Sequence, residues 1–360
     1  MLDAPALRGR LGRFIETPDA RARAFVPPPL PADPPIDILP LLAPLGRAER
    51  ALGRLDGVAM LLPRHELFLY MSVREQAGLA SQVKGARADE PIEEIREVSN
   101  YVDAMMFGLE RLAEQPLSLR LIREMHARLM RGRGGDCTRE ALFVPPPATE
   151  LDAALDAFER FMHEDPSSLP ILIKAGLLRA QFEAIHPFPI GNGRLGVLLV
   201  TLYLHVHGVL GRPLLYLSMH PRTRRADHHR LMQGVRERGS WEAWLEFFLD
   251  SVAETANQAF DAATRIVELF KHDRERIAAQ GEHAGAALRI HDHLQQSPFA
   301  TGNQLVKRTG LSAPTVNAAL ADLERLGIVE EVTGRQRGRV FGYRHYITIL
   351  GEGVDPAPSA

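Results

Sequence analysis

Apolar residues recur at three- and four-residue steps along most of the chain, which predicts a mainly α protein. From Leu41 to about Val83, the stretches LLAPLGRAERALGRLDGVAMLL and HELFLYMSVREQAGLASQV keep helical spacing. PIEEIREVSNYVDAMMFGLERLAEQ does the same, and SLRLIREMHARLMRG resumes it after the break at Pro116. ELDAALDAFERFMHED and LPILIKAGLLRAQFEAIH follow; the second is apolar nearly all round, so it is expected to be a central buried helix. LGVLLVTLYLHVHGV and a long run from Arg224 through about Lys271 continue the pattern. Two stretches break it. FVPPPLPADPPIDILPLL is proline-dense; proline removes a backbone donor and fixes φ, so this arm should lie extended over the surface as a strap. RGRGGDCTREALFVPPPATE combines glycines with a triple proline and suits an irregular hairpin or flap. After a linker at GEHAGA, the tail from Ala287 reads helix, helix, turn, helix and two strands around a Gly-Arg wing, the order of a winged helix-turn-helix. The expected division is an arm with a helical region over 1–89, a helical core over 90–272 and a winged helix over 285–350.

Composition narrows the class. With domains of about 100 to 200 residues, 360 residues hold two or three, and 45% hydrophobic with 24% charged residues is the mix of an ordinary globular protein. A formal net charge of -2 gives no global pull toward nucleic acid. Cys137 is the only cysteine, which excludes an intrachain disulfide and a thiolate-rich metal site and fits a reducing cytoplasm. No apolar run approaches the roughly 18 residues that span a bilayer, and the start MLDAPALRGRLGRF lacks a signal-peptide core. The expected setting is cytoplasmic, with no membrane partner.

The chemistry concentrates in HPFPIGNGRLGV, residues 186–197. Pro187 disfavours helical geometry in the residue before it, so the preceding helix should end near His186. Gly191, Asn192 and Gly193 then open the next helix, where small residues let backbone N–H groups converge on an anion with help from the helix dipole. Arg194 adds a fork of donors suited to phosphate. A base beside an anion cradle is what phosphoryl or nucleotidyl transfer needs: His186 takes a hydroxyl proton while the cradle holds the departing charge. The plainer alternative is a capping histidine beside a tight glycine turn.

HPFPIGNGR resembles the signature of the Fic (filamentation induced by cAMP) family, His-x-Phe-x-(Asp or Glu)-Gly-Asn-Gly-Arg-x-x-Arg. EVSNYVDAM, FVPPPATELDAAL, AGLLRAQFEAIHPF, PLLYLS and GSWEAWLEFFLDSVAETANQA are similar to long Fic proteins that end in a winged helix, so the likeness runs from roughly Arg64 to Leu350. The resemblance implies a helical bundle with a β-hairpin flap and transfer of AMP from ATP to a target hydroxyl. His186 would be the general base, Phe188 would anchor the loop in the core, and Gly191, Asn192, Gly193 and Arg194 would hold phosphates. The flap from about Leu142 to Pro147, with Phe143, Val144 and Pro145, would align a target segment as an added strand.

Four positions depart from that pattern. Ile190 stands where the family has the acid that holds Mg²⁺, and a hard cation needs oxygen ligands that isoleucine lacks. Val197 stands where the second arginine meets the γ-phosphate. The stretch ASQVKG, Ala80 to Gly85, matches the inhibitory Ser-Ser-x-Ile-Glu-Gly helix with Lys84 in place of the glutamate that pairs with that arginine. His228 and His229 stand where relatives often have tyrosines beside the nucleotide base. The changes are linked: without an arginine at 197, a glutamate at 84 would be a desolvated, unmatched anion. Lys84 either restores cationic charge at the cradle or extends to solvent. Two readings stay open: a diverged transferase using ATP or another phosphate-bearing donor with doubtful Mg²⁺ binding, acting on a target protein or a small-molecule hydroxyl acceptor, or a degenerate Fic protein working as a regulator.

For that regulator, the candidate recognition helix SAPTVNAALADLERLG offers Ser312, Thr315 and Asn317, and the wing GRQRGR could meet DNA phosphates; packing or homodimer formation is the alternative use. Asp227, His228 and His229 hint at a metal, but adjacent helical histidines face different ways, which favours an exposed face or substrate contacts. The HVH pair and Cys137 read as structural and as a surface thiol.

Overall fold

The computed structural model describes residues 9–16, 23–64, 66–70, 92–132, 143–164, 169–212, 214, 225–281, 284–335 and 338–352. It is mainly helical, as the periodicity predicts, and forms two compact units. The described residues within Met1–Asp56 and Ala88–Asn257 make one, and those within Gly57–Arg87 and Gln258–Ala360 make the other.

In the first unit a strand hairpin, β1 (Arg13–Glu16) and β2 (Arg23–Val26), precedes α1 (Leu42–Ala59). The helices α2 (Ile92–Leu112), α3 (Leu119–Leu129), α4 (Ala148–His163), α5 (Ile171–Ile185), α6 (Asn192–Val206), α7 (Arg225–Arg238) and α8 (Trp241–Ala278) follow, α8 contributing its residues to Asn257. Helix α5 is the expected central helix. All of its residues from Leu172 to Phe182 are buried, and it packs on α4, α6 and β2. Its polar side chains stay inside because each finds a partner: Lys174 Nζ donates to the Glu164 carbonyl at 2.7 Å, and Gln181 Nε2 donates to the Pro28 carbonyl at 2.7 Å. The second bond pins the proline-rich strap to the core. Arg10 pins it again, donating to the Pro34 carbonyl at 2.7 Å and pairing with Glu242 at 2.8 Å.

Two features depart from the sequence reading. The β1–β2 hairpin was not expected, because RFIE and RAFV are four-residue runs carrying charges, too short for a clear alternation. The helical run from Arg224 breaks at Gly239, which has φ +64 and whose added Cβ would lie 2.9 Å from that of Arg10. The glycine supplies both the left-handed turn and the close approach of the strap.

The second unit is a winged helix: α9 (Ala284–Gln296), β3 (Phe299–Thr301), α10 (Gly302–Thr309), α11 (Ala313–Arg325), β4 (Val329–Glu331) and β5 (Val340–Tyr343), with the sheet ordered β3-β5-β4. Helix α10 starts on a Thr301–Gln304 capping box, and α11 starts on Ser312. The last stretch, RHYITI, is helical in α12 (Arg344–Glu352) rather than part of the wing strands. Beneath the sheet, Tyr343 donates to Asp273 at 3.0 Å and meets His291 Nε2 at 3.0 Å, while Arg276 pairs with Asp273 at 2.9 Å. Among the described residues no helix is long and apolar enough to cross a membrane.

Candidate active site

Helix α5 ends where Pro187 requires it to end. His186 is its C-cap, with φ 50 and ψ 57, and its N–H donates to the Phe182 carbonyl at 3.0 Å. It is the non-glycine residue with positive φ among the described residues, and such strain collects at functional sites. The loop that follows is locked by Asn192, which is 1% exposed. Its Oδ1 accepts from the Phe188 N–H at 3.1 Å and its Nδ2 donates to the Phe188 carbonyl at 2.6 Å, so one side chain clasps both backbone groups of one residue. Gly191, at φ +83, lets the chain turn into α6 beneath Met130, whose sulfur would lie 2.9 Å from an added Cβ.

Helix α6 begins with no side-chain cap, so the backbone N–H groups of Asn192, Gly193 and Arg194 are the unsatisfied first-turn donors of a helix. A Cβ added at Gly193 would meet nothing within 4 Å. The donors therefore open onto space, and the dipole favours an anion there. Arg194 pairs with Glu97 of α2 at 3.2 Å.

Ile190 turns its side chain inward, 9% exposed, and its carbonyl meets His126 Nε2 at 3.1 Å. Phe188 is half-buried and stacks on the His126 ring at 3.8 Å and 11°; it is Ile190 that reaches the core, where the resemblance would have put Phe188. The metal that the resemblance implies is Mg²⁺, and position 190 offers it no ligand: its side chain is buried hydrocarbon, and its carbonyl is engaged by His126. Val197, the other departing position, is also buried, at 6%.

His126, Arg179, Glu183 and Arg236 escaped the sequence reading. Burial, then the nearby Arg194 charge, lowers the His126 pKa, while the hydrogen bond to Ile190 opposes the shift. The neutral ring donates Nε2–H to that carbonyl and braces the loop. Arg179, 1% exposed, pairs with Glu183 at 2.7 Å and lies against α6, where a Cβ on Gly196 would stand 2.8 Å from its guanidinium. Glu183 also meets His228 Nε2 at 3.3 Å. His228 is fully buried, edge-on to Trp244 at 5.3 Å, so it packs in the core beside Glu183 rather than presenting its ring to a substrate, as the sequence had suggested. His126 recurs on the apolar stripe of α3, four residues after Ile122, which was the available signal.

Phe143 meets the His186 ring edge-on at 6.0 Å, and the Arg236 guanidinium sits 4.5 Å above the Phe143 ring. Burial lowers the Arg236 pKa and Glu183 opposes it. Val144 forms a parallel bridge to Ala24, its carbonyl accepting from the Phe25 N–H at 2.8 Å, and Phe25 reaches Phe143 at 6.3 Å between ring centres. The Val144 carbonyl is thus engaged by the chain's own β2, and Pro145 beside it is buried. Lys84, Cys137 and Leu142 lie outside the described residues. In the HVH pair, His205 meets the Leu210 carbonyl at 2.9 Å and His207 meets the Tyr203 carbonyl at 2.8 Å, both closing the end of α6. Asp227 pairs with exposed Arg230 at 2.8 Å, and His229 is half-exposed, its ring centre 5.7 Å from that of His228.

Residues 116–204 match the Fic/DOC family, and residues 42–110 match its N-terminal region. The chain thus carries a Fic/DOC core with its N-terminal region, followed by a winged helix. Residues 286–330 match a winged helix-turn-helix DNA-binding family. The chain is similar in fold to a Fic family protein from Desulfovibrio desulfuricans, with a TM-score of 0.52 and 19% identity over 86% of this chain and 97% of that one. Matches also occur to a Fic domain containing signaling protein from Bacteroides thetaiotaomicron (13% identity, 62% of this chain and 98% of that one, TM-score 0.46) and to Fic-1 from C. elegans (18%, 62% and 74%, TM-score 0.44). Family and fold together support a Fic-type transferase in general terms.

Proposed function

We propose that this protein is a diverged Fic-type transferase that moves a phosphate-bearing group from ATP or a related donor to a hydroxyl without relying on Mg²⁺. The observation that carries the reading is the Asn192 clasp on Phe188, which fixes the loop between the strained helix end at His186 and α6, whose first-turn N–H groups face open space at Gly193. In the step, His186 takes the acceptor's hydroxyl proton as the oxygen bonds to phosphorus. The bond from phosphorus to the leaving phosphate breaks, and the departing negative charge falls to the α6 N–H groups. Arg194 adds a cation at the rim when Glu97 yields it. Phosphoryl transfer draws most of its acceleration from such positioning and charge stabilisation, so the hydrocarbon at Ile190 and Val197 argues for a reaction retuned away from the Mg²⁺-bridged form. The pairing of β2 with Val144 supports a small hydroxyl acceptor, since a target segment adding a strand there would first displace the chain's own residues.

The test is transfer of label from α-labelled ATP to candidate acceptors, with EDTA or with Mg²⁺, for the parent, His186→Ala and Ile190→Asp. Transfer in EDTA that disappears in His186→Ala supports the reading, and Ile190→Asp is expected to introduce a metal response. Label transfer that persists in His186→Ala, or that appears only with Mg²⁺ in the parent, refutes it.

A second reading rests on the winged-helix match: Ser312, Thr315 and Asn317 are exposed at the start of α11, and Arg335 and Arg339 are exposed in the wing. A regulator that binds DNA through this unit would show affinity for duplex falling steeply with salt, as phosphate contacts require. Full-length protein that gives no shift with duplex at low salt excludes it.

A further inference from the structure

The second unit contains a cavity of about 570 Å³ whose lining has three permanently or ordinarily charged cations, Arg64, Lys307 and Arg308, and no carboxylate. Lys307 and Arg308 stand on the last turn of α10 and have no acidic partner within ion-pair distance among the described residues; Arg64 has Glu66 at 3.5 Å. Like charges gathered around one hollow repel each other, and the arrangement is favourable when an anion fills it. The remaining lining supplies recognition. Gln304 spends its Oε1 on the Thr301 capping box, accepting at 2.8 Å, which leaves its amide donors for the hollow. His293 adds a ring whose pKa is lowered by burial and then by Arg308, so at neutral pH it offers one donor and one acceptor. Phe299, 47% exposed, adds an aromatic face to the lining.

We propose that this cavity is a binding site for a nucleoside di- or triphosphate, its phosphates on Lys307, Arg308 and Arg64 and its base against Phe299. The size suits a ligand of that class, since small-molecule sites run to about 300–1,000 Å³. Arginine and lysine match phosphate oxygens, and an aromatic face accepts any base by stacking. Duplex DNA fits less well: no residue of α11 and none of the wing lines the cavity, and a concave hollow encloses a small ligand better than it meets a convex phosphate ridge. The site lies wholly within the winged-helix unit and is separate from the loop at Gly191, so its occupant is an effector rather than the group transferred.

Full-length protein titrated with ADP and followed by calorimetry and amide hydrogen exchange tests this. The expected result is protection of residues 293–308 by ADP, and about tenfold or greater weakening of that event in Lys307→Ala/Arg308→Ala, with the exchange of residues 186–194 responding to ADP as in the parent. Phe299→Ala should reduce ADP affinity toward that of inorganic phosphate. The proposal is overturned if ADP protects only 186–194, if the double variant binds at 293–308 as the parent does, if inorganic phosphate binds there as tightly as ADP, or if duplex DNA protects 293–308 and ADP does not. All these side chains lie at the surface of the hollow, and an unchanged circular dichroism melt verifies that each variant is folded.

Discussion

Replacing Asn192 probes the clasp that organises the site, and two substitutions separate its structural from its electrostatic role. Asn192→Ala removes two hydrogen bonds made by a side chain that is 1% exposed. Each is worth about 1 kcal/mol net, and the Phe188 N–H and C=O are left without their partner, so the total is about 2 to 4 kcal/mol. In a unit of this size each kcal/mol lowers the melting midpoint by about 2 to 4 °C, which places the expected drop at roughly 4 to 16 °C. Asn192→Asp keeps an acceptor for the Phe188 N–H but turns an oxygen toward the Phe188 carbonyl. Its charge regains about 0.3 to 1 kcal/mol at the helix N-terminus, yet it repels a phosphate at the same place. Stability should therefore run parent, Asp, Ala, whereas ATP affinity measured by calorimetry in EDTA should run parent, Ala, Asp. An Ala variant within about 0.5 kcal/mol of the parent, the range of ordinary surface changes, would show that Asn192 does not hold the loop. An Asp variant that binds ATP as the parent does would show that no anion sits there.

Two further expectations concern charge. Lys84→Met, which keeps the stem and removes the ammonium, should weaken ATP binding by about 1.5 to 3 kcal/mol, the value of hydrogen bonds to charged groups, while Lys84→Glu should weaken it more; parental affinity in both refutes a role for Lys84 at the cradle. In the second unit, His291 Nε2–H faces Tyr343 Oη and Nδ1 faces the Gln295 amide, so a second proton has no acceptor, and burial lowers the His291 pKa. The folded state thus binds that proton less readily than the unfolded chain; the contribution to stability is present above the unfolded value of about 6.5 and is lost as pH falls through the folded pKa. Denaturant titrations from pH 7.5 to 5 should show a falling stability whose slope is shallower, by up to about 1.4 kcal/mol per pH unit, in His291→Gln; an unchanged slope refutes it.

Much of this arrangement was legible in the sequence, and the rest was hidden for definable reasons. The helix ends at His186 because Pro187 follows it, a local rule visible in two letters, and Gly191 sits where a positive φ and the approach of Met130 exclude a Cβ. The winged-helix order was likewise readable from turns and caps. What escaped depends on tertiary placement. Arg179 and Glu183 lie on a helix that reads as apolar, and only packing against Gly196 and His228 gives them a role. The pairing of β2 with Val144 joins residues over a hundred positions apart, through strands too short to announce themselves. The cations Arg64, Lys307 and Arg308 converge only because a segment near residue 64 folds with the winged helix.

The central claim, a phosphate held by the N-terminal turn of α6 without Mg²⁺, is tested most directly at Gly193. A helical Cβ tilts toward the N-terminus, so the methyl of Gly193→Ala enters the space assigned to the anion and touches nothing else within 4 Å. Alanine also favours the helix over glycine, so stability should hold or rise by up to about 1 kcal/mol. Calorimetric titration with ATP, in EDTA and in Mg²⁺, with site occupancy read from exchange protection of residues 186–194, should give equal affinity in both media for the parent and a loss of about tenfold or more in Gly193→Ala. Binding at this loop that requires Mg²⁺ in the parent, or that is unchanged in Gly193→Ala, would contradict the account.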